Sequence, residues 1–113
     1  IQLMLVENYK GVSINKEGML KALISQLNKD IALSGLNFSF NLNLSLELFL
    51  QDLIDWLDLI VVEKKNQFIA LLYRIDVLEK RVFNIPDNSI NKIAILIVER
   101  EFEKVVLKEY FKG

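Results

Sequence analysis

The chain has 113 residues, 52% hydrophobic and 26% charged, with one Pro, four Gly and a formal net charge of -1. Folding at this size removes roughly two thirds of the surface of an extended chain, enough for one domain with a real core, and the composition excludes a disordered or low-complexity polymer. Near-neutral charge gives no bulk pull toward nucleic acid or anionic lipid, and the absence of Cys and His removes thiolate nucleophiles, disulfides, the usual zinc sites and every His-centred acid/base device.

The opening IQLMLVENYKGVSINK is apolar for only a few residues and has neither a basic leader nor a small-residue cleavage site, so it does not read as a signal peptide. The chain opens on Ile1, and Met19 reads as a second plausible start. Residues 1 to 14 are therefore expected to be an N-terminal extension dispensable to a single helical domain at 15–113. The alternative is that Leu3 and Leu5 form a short strand or a helical turn.

The first helix is expected from about Lys16 to Ser34, capped by Asn15 or Ser13, with Leu20, Leu23, Ile24, Leu27 and Ile31 on one face. Lys21, Gln26, Asn28 and Lys29 are expected to face water, and Gly35 to end the helix. Next, Leu36, Phe38, Phe40, Leu42 and Leu44 alternate with Asn37, Ser39, Asn41 and Asn43. That period of two belongs to an extended segment. It reads as a strap laid over helices, or as a short strand pairing with Leu3 to Glu7 or with a second copy of itself, because a lone strand leaves its backbone groups open.

From Leu46 the spacing turns helical, with Phe49, Leu50, Leu53, Ile54, Leu57 and Ile60 or Val61 in one stripe and Ser45 as the N-cap. A third helix is expected over Gln67 to Phe83, capped by Asn66 and stopped before Ile85-Pro86. A fourth starts near Asp87 to Ser89 and runs to Phe111. The fold class is all-α: roughly a four-helix bundle with the strap between helices one and two.

Within helix four, Ile93 to Val98 are six apolar residues in a row, apolar all round the helix, and such a level must be covered on every side. A symmetric homodimer would cover it, which makes Ile93, Ile95 and Ile97 candidate interface residues, together with Phe38 and Phe40 on the strap and the boundary residue Trp56. Self-covering by the strap is the alternative.

Two charge blocks are opposite in sign. Ser45 to Glu63 holds five acids (Glu47, Asp52, Asp55, Asp58, Glu63) and no base, whereas Lys64 to Lys92 holds six bases and three acids. These either guide packing or a complementary association, or are solvated faces. Asp52, Asp55 and Asp58 drift around the helix and make a slanting stripe rather than a focused cation site. In LLYRIDVLEK, Leu71 to Lys80, Tyr73, Asp76 and Glu79 are candidates for a polar clasp with Arg100 and Lys104 across two helices.

Tyr73, Ile75, Asp76, Val77 and Glu79, with Glu99, Arg100, Glu101, Lys104 and Val105, resemble short uncharacterised bacterial helical proteins that carry Y-x-I-D-V-x-E and a terminal helix of the type E-R-E-x-x-K-V. The likeness implies no activity. There is no phosphate loop, nucleophile elbow or basic patch interleaved with aromatics. The expectation is a cytoplasmic, non-enzymatic protein-interaction or self-association module, with no cofactor, no metal, no nucleic acid and no membrane. Its rivals are a bundle holding an apolar ligand among Phe49, Phe68, Leu72, Ile97 and Phe102, and a carboxylate-based acid/base enzyme.

Overall fold

The computed structural model describes residues 7–77 and 90–110. Among the described residues four helices carry the fold: α1 (Met19–Leu33), α2 (Leu46–Glu63), α3 (Lys65–Ile75) and α4 (Ile90–Tyr110), preceded by a small hairpin of β1 (Asn8–Tyr9) and β2 (Val12–Ser13). Helix α4 packs against all three others and against β1. The domain is an all-α bundle built around it.

The hairpin is antiparallel, with Tyr9 opposite Val12 and Asn8 opposite Ser13. Its two turn residues, Lys10 and Gly11, both take positive φ, 51° and 81°, the combination that matches the twist of two paired strands. Ile14 N–H donates to the Glu7 carbonyl at 2.7 Å and lengthens the ladder. Ile14 itself lies in the core, the Tyr9 ring meets Phe102 edge-on at 6.5 Å, and Lys16 Nζ sits 4.6 Å from the centre of the Tyr110 ring. Residues 7–16 thus pack on α4.

Helix α1 starts at Met19, three residues later than expected from Lys16. Ser13 does cap, but locally: its Oγ accepts from Asn15 N–H, and two turns, Lys16 N–H to Ser13 O and Met19 N–H to Lys16 O, fill the interval. Gly18, at φ 82°, then sets the entry without a side-chain cap. At the far end Gly35 N–H donates to Ala32 O and Leu36 N–H to Ile31 O, the paired bonds of a left-handed helix stop.

Residues 36 to 44 are the expected strap and take no part in a ladder: among the described residues the sheet holds only β1 and β2. Asn28 supplies what a partner strand would have given. Its Nδ2 donates to Phe40 O at 3.0 Å and its Oδ1 accepts from Phe40 N–H at 2.8 Å. Asn28 is therefore half-buried and does not face water. The strap's aromatic rings cover α2. Phe38 stacks on Trp56 at 5.0 Å, while Phe40 meets Trp56 and Phe49 edge-on at 5.6 and 5.4 Å.

Ser45 caps α2 as its sequence suggests, with extended φ/ψ and Oγ accepting from Leu48 N–H at 3.2 Å. Helices α2 and α3 are joined by Lys64 alone, whose N–H donates to Ile60 O and whose carbonyl accepts from Phe68 N–H. Asn66 accordingly lies in the first turn of α3 and is not its cap. Helix α3 ends at Ile75, well before Phe83, because Asp76 adopts φ 73°. Asp76 N–H donates to Tyr73 O and Val77 N–H to Leu72 O, the same stop that Gly35 makes. The remainder of the expected helix, the Ile85-Pro86 boundary, the start of helix four at Asp87 to Ser89 and its end at Phe111 lie outside the described residues.

Candidate functional site

Two constellations stand out, one built on two buried carboxyls and one on the surface. The first begins with two acids at positions of the apolar period. Asp30 follows Leu23 and Leu27 along α1, and Glu101 follows Ile97 and Val98 along α4, so helical spacing turns both carboxyls inward. They are 3% and 0% exposed. Burying ionised carboxylates without partners costs far more than a domain can bear. Lys104, one turn from Glu101, is the partner: its Nζ lies 2.9 Å from Asp30 Oδ2 and 3.3 Å from Glu101 Oε1, and it also donates to the Arg74 carbonyl at 3.3 Å. Gln26 Nε2 donates to Asp30 Oδ1, and Lys108 Nζ donates to Gln26 Oε1. The cluster so ties α1, the end of α3 and α4 together.

One lysine cannot neutralise two carboxylates. Burial, joined by the hydrogen bond and charge of Asp30 and opposed by Lys104, pushes the Glu101 carboxyl from near 4.5 up to about 9. Glu101 thus holds its proton at neutral pH beside the Lys104–Asp30 ion pair. Neither Glu101 oxygen finds a donor hydrogen-bonded to it, and the Lys104 contact has the distance of an ion pair without hydrogen-bond alignment. Perturbed carboxyls often mark active sites. Glu101 itself has no exposed surface, and its proton uptake is coupled to stability.

The expected polar clasp divides. Arg100 Nη2 pairs with Asp76 at 2.9 Å and its Nη1 with Glu103 at 3.0 Å, while Lys104 turns to Asp30 and Glu101. Tyr73 is 88% exposed and stands apart from both groups. Glu79 lies outside the described residues.

Of the expected interface residues, Ile93, Ile95 and Ile97 are all buried within the single chain. Phe40 and Trp56 are buried in the aromatic cluster under the strap, and only Phe38, 41% exposed, shows a ring face to solvent. The rival ligand pocket has no distinct outline: Phe49, Phe68, Leu72, Ile97 and Phe102 all belong to one continuous core.

The second constellation is the outer face of α2. Residues 48, 52, 55, 59 and 62 follow steps of four, three, four and three and fall within a narrow strip on an α-helix. They read Leu48, Asp52, Asp55, Leu59 and Val62, with the three apolar side chains 58%, 53% and 80% exposed. Glu47, Asp58 and Glu63 are also exposed beside the strip. Among the described residues none of these five acids makes an ion pair, and Asp55 only accepts from Gln51 Nε2 at 3.0 Å. Trp56, a turn before Leu59, is buried beneath the half-exposed Phe38 ring stacked on it.

Comparison with known proteins finds no family model, no curated protein and no solved structure that matches this chain. No described helix is long and apolar enough to cross a membrane. Among the described residues no group of three or more His, Cys, Asp or Glu is gathered so as to hold a metal ion. Neither Asp30 nor Glu101 stood out in the sequence as a site, although each is a charge at a core position of its helix, and that was the signal to find them by.

Proposed function

We propose that the chain is a non-enzymatic protein-interaction module that docks a partner on the outer face of α2. The observation that carries this reading is the strip Leu48, Leu59 and Val62, where three large apolar side chains are exposed along one line of one helix. Scattered apolar residues are normal on a surface; an aligned set beside a half-exposed aromatic ring is a site for a partner helix or strand. Self-association through helix four has no free surface behind it, because Ile93, Ile95 and Ile97 are already covered. A cytoplasmic setting is part of the same proposal.

Selection from a random peptide library on the immobilised protein tests the reading, with the Leu59→Ser, Val62→Ser double variant as counter-target. Selected peptides should bind the wild-type chain at least tenfold more tightly than the variant. Peptides that bind both equally would place the docking surface elsewhere and end the proposal.

A further inference from the structure

We infer that the partner on the outer face of α2 is a cationic amphipathic segment, with apolar side chains flanking a basic centre. This rests on the docking reading above and adds the chemistry of the occupant. The order along the strip decides it: Leu48 at one end, Asp52 and Asp55 in the middle, Leu59 and Val62 at the other end. A partner that covers the apolar ends must lie across the two aspartates. Apolar cover removes water from their surroundings, and a carboxylate that loses water needs an opposite charge or a donor in its place.

Among the described residues no Lys or Arg pairs with these two aspartates. From Ser45 to Glu63 there is no Lys or Arg, and Asp52, Asp58, Glu47 and Glu63 carry no ion pair among the described residues. The partner must bring it. The same five acids repel phosphate, which rules nucleic acid and anionic lipid out as occupants of this face. A second copy is disfavoured by symmetry. In a two-fold antiparallel pairing of α2 with its copy, Leu48 would meet Leu59 or Val62, but Asp52 and Asp55 would face Asp55 and Asp52 at the axis. Like charges opposed in a drying interface oppose association. A helix with Lys or Arg spaced three or four apart and Leu or Ile on either side meets every requirement of the strip.

The test uses synthetic amphipathic peptides about four helical turns long, one of Leu and Lys, one of Leu and Gln and one of Leu and Glu, each with its apolar residues at helical spacing, titrated by fluorescence anisotropy into the full chain. The Leu/Lys peptide should bind at least tenfold more tightly than the other two. Its affinity should fall at least tenfold in Asp52→Asn, Asp55→Asn and in Leu59→Ser, Val62→Ser, fall as salt is raised, and stay unchanged in Glu109→Gln, which lies in the groove between α1 and α4. If the Leu/Gln peptide binds as tightly and only the Leu59, Val62 variant weakens it, the cationic partner is overturned while the docking face stands. Binding of Leu/Lys that neither double variant changes overturns both. A wild-type dimer in sedimentation equilibrium that Leu59→Ser, Val62→Ser converts to a folded monomer would assign the face to a second copy instead.

Discussion

The Asn28 side chain makes both hydrogen bonds that a neighbouring strand would make to Phe40, accepting its N–H at 2.8 Å and donating to its carbonyl at 3.0 Å. A single amide on α1 therefore fixes the strap in register, with the Phe38 and Phe40 rings over Trp56. Asn28→Ala leaves two backbone groups of Phe40 without protein partners. Each partly buried hydrogen bond contributes about 1 kcal/mol net, so urea unfolding should show a loss of about 2 kcal/mol. Trp56 emission should shift to the red as the covering rings loosen. Unchanged emission would mean that aromatic packing alone holds the strap.

The buried carboxyl of Glu101 should set the pH dependence of stability. Its folded pKa, about 9, lies above the ordinary value of 4.5, so between those limits the folded chain holds a proton that the unfolded chain releases. The stabilisation is complete below about pH 4.5 and falls by roughly 1.4 kcal/mol per pH unit as pH rises toward 9. This opposes the usual trend of paired carboxylates. Glu101→Gln keeps a donor for Asp30 without a titrating proton. Chemical denaturation at pH 5.5, 7 and 8.5 should find the variant gaining on the wild type at each step; parallel curves would assign the slope to other groups.

Lys104 and Arg100 both bridge to another element, and their unequal burial predicts unequal consequences. Asp30 is sealed, so Lys104→Met strands a buried carboxylate and should cost about 3 kcal/mol. Asp76 is mostly exposed, so Arg100→Met should cost less than about 1 kcal/mol. Adding Asp30→Asn to Lys104→Met should recover part of the first loss, since the stranded charge is gone. A double variant weaker than Lys104→Met would show that packing, not charge, sets the cost.

The hairpin ahead of α1 bears on whether residues 1 to 14 are dispensable. Ile14 is buried with the core and Tyr9 packs on Phe102. Ile14→Ala should therefore cost about 2 to 3 kcal/mol by loss of buried methyl groups and the space left behind. A chain begun at Met19 should lose at least as much, read as a lower melting temperature. A melting temperature within a few degrees of the full chain would restore the view of these residues as an extension.

Periodicity made the helices legible. Leu23, Ile24, Leu27 and Ile31, or Phe49, Leu53, Leu57 and Ile60, report one face of a helix without reference to the rest of the chain. Ser45 and Gly35 were equally clear, because a cap and a left-handed stop are local events with their own residue preferences. The role of Asn28 was hidden, since an exposed-looking amide becomes a strand partner only once the strap lies across it. Asp30 and Glu101 were hidden by the same long-range logic, α1 and α4 meeting across more than half the chain. The covering of Ile93, Ile95 and Ile97 also depends on tertiary packing, and an apolar run alone does not say whether its own chain or a second one will supply it.

Asp76 carries the sharpest contrast between local and tertiary readings. On sequence it is a helical acid in a clasp with Arg100 or Lys104; in the structure it is the residue at φ 73° that stops α3, with the Arg100 bridge added on the surface. The left-handed conformation costs an ordinary L-residue roughly 1 to 2 kcal/mol, less for Asp or Asn, and little for Gly. If the stop is the main role, Asp76→Gly and Asp76→Asn should remain within about 0.5 kcal/mol of the wild type, while Asp76→Ala should lose about 1 kcal/mol. If the ion pair were the main role, all three would lose the same amount, because each removes the carboxylate from Arg100. Thermal unfolding of the three variants separates the two, and the expected order is Gly and Asn together, with Ala below.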